Sequence, residues 1–416
     1  MSAVGHPREG VGDNRLVDAA RGTVTAWRDL PTVELSGPTV AAVRRSADAA
    51  AYVAAHTRSG EELLVVAADR LTADLRQECL DLGLAVETTG DGEPTREGPP
   101  QPRPSEPGRI WLLTSGSTGR PKRVAHTLDS LATVGGAQPP RRWLCPYSPG
   151  TYAWWQVMTL VATAPGQDVV VVDPHDLDAW PEAALEHGVT AASGTPTFWR
   201  QSIMRSADTL RRLPLEQVTL GGEPVDQAIL DQVREVFPAA RVSWIYASSE
   251  AGASIVVHDG VAGFPLEWVG RRTPGRVAIE IEGEELVLTS PHGAEGLTGP
   301  LRTGDRVEVA DGRVRIVGRI DRDEINVGGT KVSAGVVRET LLAHPDVRWA
   351  AVRGRTAPMV GSVVVAEVVL HDTADETTAG QALRDWCADR LPDAAVPRRI
   401  AVRPEIPLKE TLKSDV

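Results

Sequence analysis

The chain has 416 residues and a formal net charge of −12, with 42% hydrophobic and 24% charged residues. This length allows two or three globular domains, and the scattered basic residues of an acidic chain argue against a nucleic-acid or anionic-membrane partner. The three cysteines form no CxxC pair, and no apolar run reaches the ~18 residues of a membrane span. We therefore expect a cytoplasmic protein that acts on small molecules, without a disulfide framework or a structural zinc site.

The first predicted elements alternate between helix and strand. Residues 47–56 (ADAAAYVAAH) and 72–83 (TADLRQECLDLG) have helical patterns, whereas 62–68 (ELLVVAA) and 84–88 (LAVET) read as strands. Such alternation predicts an α/β layer. Residues 88–109 are rich in Pro, Gly and charge, which predicts a flexible linker.

The alternation continues after the linker. A continuously apolar run at 167–174 (QDVVVVDP) is typical of a strand buried in a parallel sheet. Further elements are a strand at 110–113, a helix at 177–188, extended chain at 189–194, a helix at 227–237 and a strand at 241–248.

The pattern changes in the last third of the chain. Residues 277–290 and 306–320 are short alternating runs with glycine-centred turns, which predict hairpins of a small barrel-like β subdomain. From about Gly318 a helix, two strands and a helix follow, enough for a separate small α+β domain. The predicted fold class is α/β, with an N-terminal domain at 1–318 and a C-terminal domain at 319–416.

The stretch TSGSTGRPKRV at 114–124 has two interpretations. Gly, Ser, Thr and Pro are ordinary turn formers, so a surface turn is one. The other is a phosphate loop, in which glycines free the backbone N–H groups and hydroxyls and Lys122 add donors. The spacing excludes a Walker loop and the GxGxxG dinucleotide motif. The loop taken alone leaves both interpretations open.

Further motifs follow this loop in a fixed order: LGGEP at 220–224, YASSE at 246–250, RTGD at 302–305, GRID at 318–321, INVGGTKV at 325–332 and IPLKETLKSD at 406–415. The ordered set resembles the adenylate-forming ANL superfamily, which includes acyl-CoA synthetases, adenylation domains of nonribosomal peptide synthetases and luciferases. The resemblance extends from Arg109 to Asp415. It implies carboxylate attack on the α-phosphorus of ATP, giving an acyl-adenylate and pyrophosphate.

The resemblance also implies residue roles. Lys413 would bridge the carboxylate and the α-phosphate, Glu250 would hold Mg²⁺, and Lys122 would contact phosphate. The nucleotide-binding residues implied are Thr114, Ser115, Gly116, Ser117, Thr118 and Gly119 for phosphate, Gly222, Glu223, Pro224 and Tyr246 for adenine, Ser249 as the hydroxyl of its motif, Asp305 for the ribose hydroxyls, and Arg319 for ribose or phosphate.

Two-step members of the superfamily rotate a mobile C-terminal domain about a hinge. Here the hinge would be Asp321, and the rotation would bring Gly329 beside the pantetheine arm of CoA or of an acyl or peptidyl carrier protein. A turn glycine is the alternative for Gly329. An amine acceptor, or a non-catalytic relative that only binds nucleotide, also stays open.

The stretch SPGTYAWWQ at 148–156 corresponds to the region that binds the acid substrate in the superfamily. Amino-acid-activating members carry an aspartate that pairs with the substrate's ammonium, and Gly150 falls at its place. An unpaired buried ammonium is costly, so the sequence favours an aryl or other apolar acid. Tyr152 and Trp154 are candidate contacts to this acid, with ordinary core packing as the alternative. Two departures from the superfamily are a short N-terminal region and Leu412 in place of the glycine before the lysine.

Overall fold

The structure is a computed structural model that describes residues 9–90, 94–114, 122–132, 136–174, 176–320, 323–357, 361–371, 374 and 376–407. Its strands are β1 Arg15–Asp18, β2 Thr23–Ala26, β3 Thr39–Val43, β4 Leu63–Ala67, β5 Ala85–Thr88, β6 Thr95–Glu97, β7 Ile110–Thr114, β8 Lys122–His126, β9 Arg141–Cys145, β10 Gln167–Val171, β11 Ala191–Gly194, β12 Gln217–Gly221, β13 Arg241–Ser248, β14 Gly252–Val257, β15 Phe264–Pro265, β16 Ala278–Glu282, β17 Glu285–Thr289, β18 Leu301–Ala310, β19 Arg313–Arg319, β20 Glu324–Val327, β21 Thr330–Ser333, β22 Val347–Ala357, β23 Gly361–Leu370 and β24 Arg399–Val402. The α-helices are α1 Ala49–Ser59, α2 Ala73–Asp81, α3 Leu128–Leu131, α4 Tyr152–Thr163, α5 Trp180–Glu186, α6 Pro196–Leu210, α7 Gln227–Val236, α8 Ala334–Leu342 and α9 Glu376–Ala388.

Two largely parallel sheets form the α/β part of the molecule. The first has the order β14-β13-β12-β11-β9-β10-β1-β2, and only its edge strands β2 and β14 run antiparallel to their neighbours. The second has the order β6-β5-β3-β4-β7-β8, again with antiparallel edge strands. The inner strands contribute runs of buried apolar residues, such as Val169, Val170 and Val171 of β10, as expected for strands covered on both faces.

The helices start at polar caps that the sequence supplies. The hydroxyl of Thr195 accepts from the Phe198 amide at the start of α6, where Pro196 takes the first helical position. Asp226 caps α7 in the same way through the Ile229 amide. The start of α6 follows directly on the carboxyl end of β11, and α7 starts a few residues after the carboxyl end of β12.

The last third of the chain forms two further sheets. Strands β15 to β19 make a five-stranded antiparallel sheet in the order β15-β19-β18-β17-β16. The C-terminal sheet has the order β21-β20-β23-β22, with β24 parallel to β23, and α8 and α9 share its core. This is the mixed α/β architecture, with a half-barrel sheet and a small α+β region, that the sequence predicts.

The predicted linker at 88–109 is partly wrong. It contains the strand β6, which pairs with β5, and its later part is attached to the core by Arg103, which forms an ion pair with the fully buried Glu62 at 2.7 Å. Strand β3 and helices α4 and α6 were not predicted, because their small residues and mixed polar positions give no clear hydrophobic periodicity. None of the described helices combines the length and the apolar composition that crossing a bilayer requires.

Candidate active site

The main cavity lies at one edge of the first sheet. Strands β9, β11, β12 and β13 are parallel, so their carboxyl ends meet at this edge, where ligands of open α/β sheets usually bind. The cavity has a volume of about 870 Å³. Its walls include the residues that follow these strand ends, together with residues of β19 and α8. Five of the motifs that lie far apart in the sequence therefore contribute residues to one cavity: Thr114, Gly222, Tyr246, Asp305 and Arg319.

A hydrogen-bonded group of three residues forms one wall. The Tyr246 hydroxyl donates to Oδ2 of Asp305, and Arg319 donates to Oδ1 of the same carboxylate at 3.0 Å. Asp305 is only 7% exposed. Burial and the Asp305 charge raise the pKa of Tyr246, so this phenol stays neutral and donates. Burial disfavours the charge of Arg319, but the hydrogen bond to Asp305 together with the negative charges of Asp305, Tyr246 and Glu250 outweighs burial and raises the pKa of the guanidinium.

A second wall carries the glycine-rich segment. Gly222, Glu223 and Pro224 all line the cavity directly after β12. Gly222 has a φ of 82°, in the left-handed region that favours glycine, so the chain turns there without strain. Glu223 accepts a hydrogen bond from the Thr197 amide at 3.0 Å, at the positive end of the α6 dipole. This contact places the segment against the start of α6.

The part of the cavity that the sequence predicts to face phosphate is lined by Thr114, Ser249 and Glu250. Glu250 is an exposed carboxylate, and no ion pair or hydrogen bond of its side chain is found among the described residues. Such a carboxylate fits Mg²⁺, which takes one or two carboxylates along with water and substrate phosphates. The described residues contain no cluster of three metal ligands, so the protein would supply only part of the shell.

The predicted phosphate loop is only partly described. Lys122 is exposed and pairs in register with Thr114, where β7 ends and β8 begins on either side of the loop. Ser115, Gly116, Ser117, Thr118 and Gly119 lie outside the described residues, as do the hinge Asp321 and the lysine Lys413. Their roles stay predictions.

A further part of the cavity wall is mostly apolar. One face of α4 lines it, with side chains recurring at helical spacing: Tyr152, Ala153, Gln156, Val157 and Leu160. The wall also includes Trp143 and the hydrogen-bonded pair Tyr147 and Ser193, whose oxygens lie 3.0 Å apart. Tyr152 was predicted from the sequence, whereas the other residues of this wall were not. The period of the α4 face identifies Ala153, Gln156, Val157 and Leu160 once the helix is recognised.

Trp154 does not belong to this wall. It lies on the buried face of α4, is 0% exposed, and its indole nitrogen donates to the Ser46 hydroxyl at 3.0 Å. Trp154 therefore faces away from the cavity in this structure, because a helix presents only side chains three or four positions apart on one face. Tyr152 does line the cavity.

Gly150 has a backbone reason to be glycine. Its φ is 80°, and a Cβ atom there would lie 1.9 Å from the Val65 carbonyl oxygen. No side chain fits at this position, and Gly150 is not part of the cavity wall. A carboxylate for a substrate ammonium cannot come from this position.

The C-terminal domain closes part of the cavity. Arg338, Glu339 and Leu342 of α8 line it. Gly329 does not: it lies exposed at the tip of the β20–β21 hairpin, and its amide donates to the Asn326 side chain at 2.9 Å. Where α8 meets β19, a Cβ atom on Gly335 would lie 1.4 Å from the Val317 carbonyl oxygen. The two domains therefore touch through backbone at this point.

Comparison with known proteins agrees with this geometry. The family model described as AMP-binding enzyme matches residues 32–298, and the model for the AMP-binding enzyme C-terminal domain matches residues 337–413. The first match covers more than half of the chain. The chain therefore belongs to the AMP-binding family, the adenylate-forming ANL superfamily.

The curated relatives are distant and longer. A dimodular nonribosomal peptide synthase of Bacillus subtilis is 27% identical over 351 residues, which are 73% of this chain and 14% of that protein. An acetyl-coenzyme A synthetase of Thiobacillus denitrificans is 26% identical over 359 residues, 71% of this chain and 53% of that protein. The chain thus spans about half, or less, of the length of these relatives.

Solved structures share the fold over nearly the whole chain. The amide bond synthetase McbA from Marinactinospora thermotolerans superposes with a TM-score of 0.76 at 23% identity, covering 100% of this chain and 98% of that one. The anthranilate CoA ligase AuaEII, in complex with anthranoyl-AMP, gives 0.72 at 17% identity, covering 98% and 93%. At these identities the likeness shows the fold alone.

Proposed function

We propose that this adenylate-forming enzyme activates an aryl or other apolar carboxylic acid with ATP and transfers the acyl group to the thiol of CoA or of a carrier protein. The observation that carries the proposal is the shared cavity, which joins the Tyr246, Asp305 and Arg319 group and Glu250 to an apolar end beside α4. A nucleotide and an acid of moderate size would meet in it.

The first step needs charge stabilisation at phosphorus. A carboxylate oxygen bonds to the α-phosphorus of ATP while the bond from that phosphorus to the β-bridging oxygen breaks, and pyrophosphate leaves. Thr114, Lys122 and the loop between them would hold the β- and γ-phosphates, and Lys413 would approach the α-phosphate. Mg²⁺ on Glu250 would neutralise phosphate charge. Asp305 and Arg319 would hold the ribose, and Tyr246 the adenine ring.

The apolar end supports the acid class. Leu160, Val157 and Trp143 contribute hydrocarbon surface, and no lysine or arginine is found among the wall residues that α4 and β9 contribute. A free carboxylate tail or an α-ammonium would there lose its hydration without gaining an opposite charge. Tyr147 and Ser193 offer one hydroxyl pair to a polar substituent.

The second step would transfer the acyl group. A thiol sulfur attacks the adenylate carbonyl, AMP leaves, and the thiol proton passes to AMP or to solvent. Rotation about Asp321 that brings Gly329 to the cavity is part of this proposal, and Gly329 lies outside the wall in the present arrangement. Either CoA or the phosphopantetheine arm of a carrier protein could supply the thiol.

An amine acceptor is a second candidate. The whole-chain superposition on an amide bond synthetase, with 98% of that chain covered, favours it, since the two chains match over nearly their full lengths. In that case the adenylate would react with an amine nitrogen, and the thiol-binding role of Gly329 would be lost.

Acid-dependent exchange of labelled pyrophosphate into ATP tests the first step. We expect exchange with aryl and medium-chain acids, little with α-amino acids, and loss of exchange in Glu250→Gln and Lys413→Ala. Active acids are then incubated with ATP and CoA, a phosphopantetheinylated carrier protein or a series of amines, and the products are identified by mass spectrometry. Absence of exchange with every acid would contradict the proposed function.

A further inference from the structure

A buried histidine outside the cavity wall joins two of its phosphate-side segments. His126 is the last residue of β8, the strand that leaves the phosphate loop, and it is 0% exposed. Its Nε2 lies 2.6 Å from the carbonyl oxygen of Ser249, the residue before Glu250. A carbonyl only accepts, so Nε2 carries the proton and donates.

The rest of the imidazole is fixed as well. Nδ1 lies 2.9 Å from the Ser130 hydroxyl, which is held in place by the capping box that Thr127 and Ser130 form at the start of α3. A neutral imidazole with its proton on Nε2 satisfies both contacts when the Ser130 hydroxyl, which also lies 3.0 Å from the Thr127 carbonyl oxygen, donates to Nδ1. Burial lowers the pKa of His126, which favours this neutral form.

A second pair of contacts runs parallel to the first. The Glu295 amide donates to the Ala125 carbonyl and the Ala294 amide donates to the Glu250 carbonyl, both at 2.8 Å. The backbone around Glu250 is thus held by hydrogen bonds to two carbonyls, its own and that of Ser249. Both hydrogen bonds connect this segment to β8, and of the two only the bond from His126 comes from a side chain.

We propose that His126 is a positioning residue that holds Glu250 at the correct distance from the phosphate loop for a magnesium-bound nucleotide. This inference rests on the proposed function. His126 does not touch substrate. It acts by coupling the strand that begins at Lys122 to the segment that presents the Glu250 carboxylate, and a shift of about 1 Å in such a carboxylate costs up to ~100-fold in activity.

The test measures ATP binding with and without Mg²⁺ by calorimetry on the full chain. We expect Mg²⁺ to lower the Kd for ATP in the wild type. In His126→Leu this Mg²⁺-dependent enhancement of binding should be about tenfold smaller, while the Kd for metal-free ATP should be unchanged. His126→Gln, whose amide nitrogen reaches the Nε2 position, should keep the enhancement. His126→Asn, which reaches only the Nδ1 position, should lose it.

His56 supplies a matched control. It is 2% exposed and its Nδ1 lies 2.6 Å from the Glu61 carbonyl oxygen, on α1 away from the cavity wall. His56→Leu should lower the melting temperature about as much as His126→Leu does, and it should leave the Mg²⁺ enhancement of ATP binding intact. The inference would be overturned if Mg²⁺ enhanced ATP binding equally in the wild type, His126→Leu and His126→Asn, or if His56→Leu lost the enhancement as fully as His126→Leu. Pyrophosphate exchange by the wild type would in that case still support the proposed function. A wild type that binds no ATP would overturn both.

Discussion

Single residues of the cavity have partners that the sequence motifs do not reveal. Asp305 was expected to accept ribose hydroxyls, and in the structure both of its oxygens already accept from Tyr246 and Arg319. A ribose would therefore have to share or replace these donors. The carboxylate is oriented before nucleotide arrives, which reduces the ordering cost of binding.

Asp305→Asn tests this role. The amide keeps the shape but loses the charge that pairs with Arg319, so we expect the KM for ATP in the exchange assay to rise about tenfold or more, with the KM for the acid little changed. Asp259→Asn is the control, because Asp259 pairs with Arg313 at 2.7 Å away from the cavity wall. Equal effects of the two substitutions would contradict the assignment.

Glu62 illustrates a buried charge with a structural role. Its side chain is 0% exposed and accepts from Arg103, from the Glu106 amide at 3.0 Å and from the Trp111 indole. Burial opposes the charge, but these donors outweigh it and lower the pKa of Glu62. We expect Glu62→Gln to reduce the free energy of unfolding by about 3 kcal/mol at pH 7, measured by urea titration followed by tryptophan fluorescence.

The pH dependence of this contribution has a definite sign. Since the folded pKa is below the unfolded value, the stabilisation is complete above about pH 4.3 and is lost as the pH falls through the folded pKa. The stability difference between wild type and Glu62→Gln should therefore shrink in acid. The KM for ATP should stay unchanged, and a change in that KM would contradict a purely structural role.

At the scale of elements, α8 packs directly against β19, and this is a contact between the C-terminal region and the half-barrel sheet. The sequence pattern predicts both elements, but not that Gly335 packs on the Val317 carbonyl. Helical periodicity identifies the apolar face of α8, whereas a missing Cβ matters only once a neighbouring backbone lies against it. The same holds for Gly150 on Val65, where sequence comparison suggests a lost aspartate and packing shows a required glycine.

Gly335→Ala should separate these elements. An added Cβ would overlap the Val317 carbonyl, so we expect the domains to part there, with pyrophosphate exchange reduced about tenfold or more and the unfolding of the N-terminal domain little affected. Limited proteolysis between 318 and 335 should become faster. Gly380→Ala in α9, where the nearest atom is 3.8 Å from an added Cβ, should be neutral or slightly stabilising. Unchanged exchange in Gly335→Ala would show that this contact is dispensable.

At the scale of the whole molecule, the cavity wall contains a carboxyl group contributed by the small domain. Glu339 on α8 faces the large domain, and burial raises its pKa to about 7, with Glu308 and Asp226 also raising it and Arg338 and Arg315 opposing. Because the folded pKa exceeds the unfolded value, the contribution of Glu339 to stability is greatest below about pH 4.3 and is lost as the pH rises through about 7.

Glu339→Gln removes this titration. We expect the variant and the wild type to have similar melting temperatures at pH 5, and the variant to be the more stable at pH 8, where the wild-type carboxylate is charged beneath the large domain. The measurement is thermal unfolding of the full chain from pH 5 to pH 8. A constant difference across this range would show that Glu339 titrates outside it.

The sequence by itself determined the family, the α/β class and the order of the site motifs, because hydrophobic period and glycine-rich turns are local properties of the chain. Only the tertiary structure decided which side chains share the cavity: Tyr152 faces it and Trp154 does not, and His126 reaches Ser249 across 123 positions of sequence. Such contacts depend on strand order and on which face of a helix is covered. Local sequence carries neither, since both arise only when the sheets assemble.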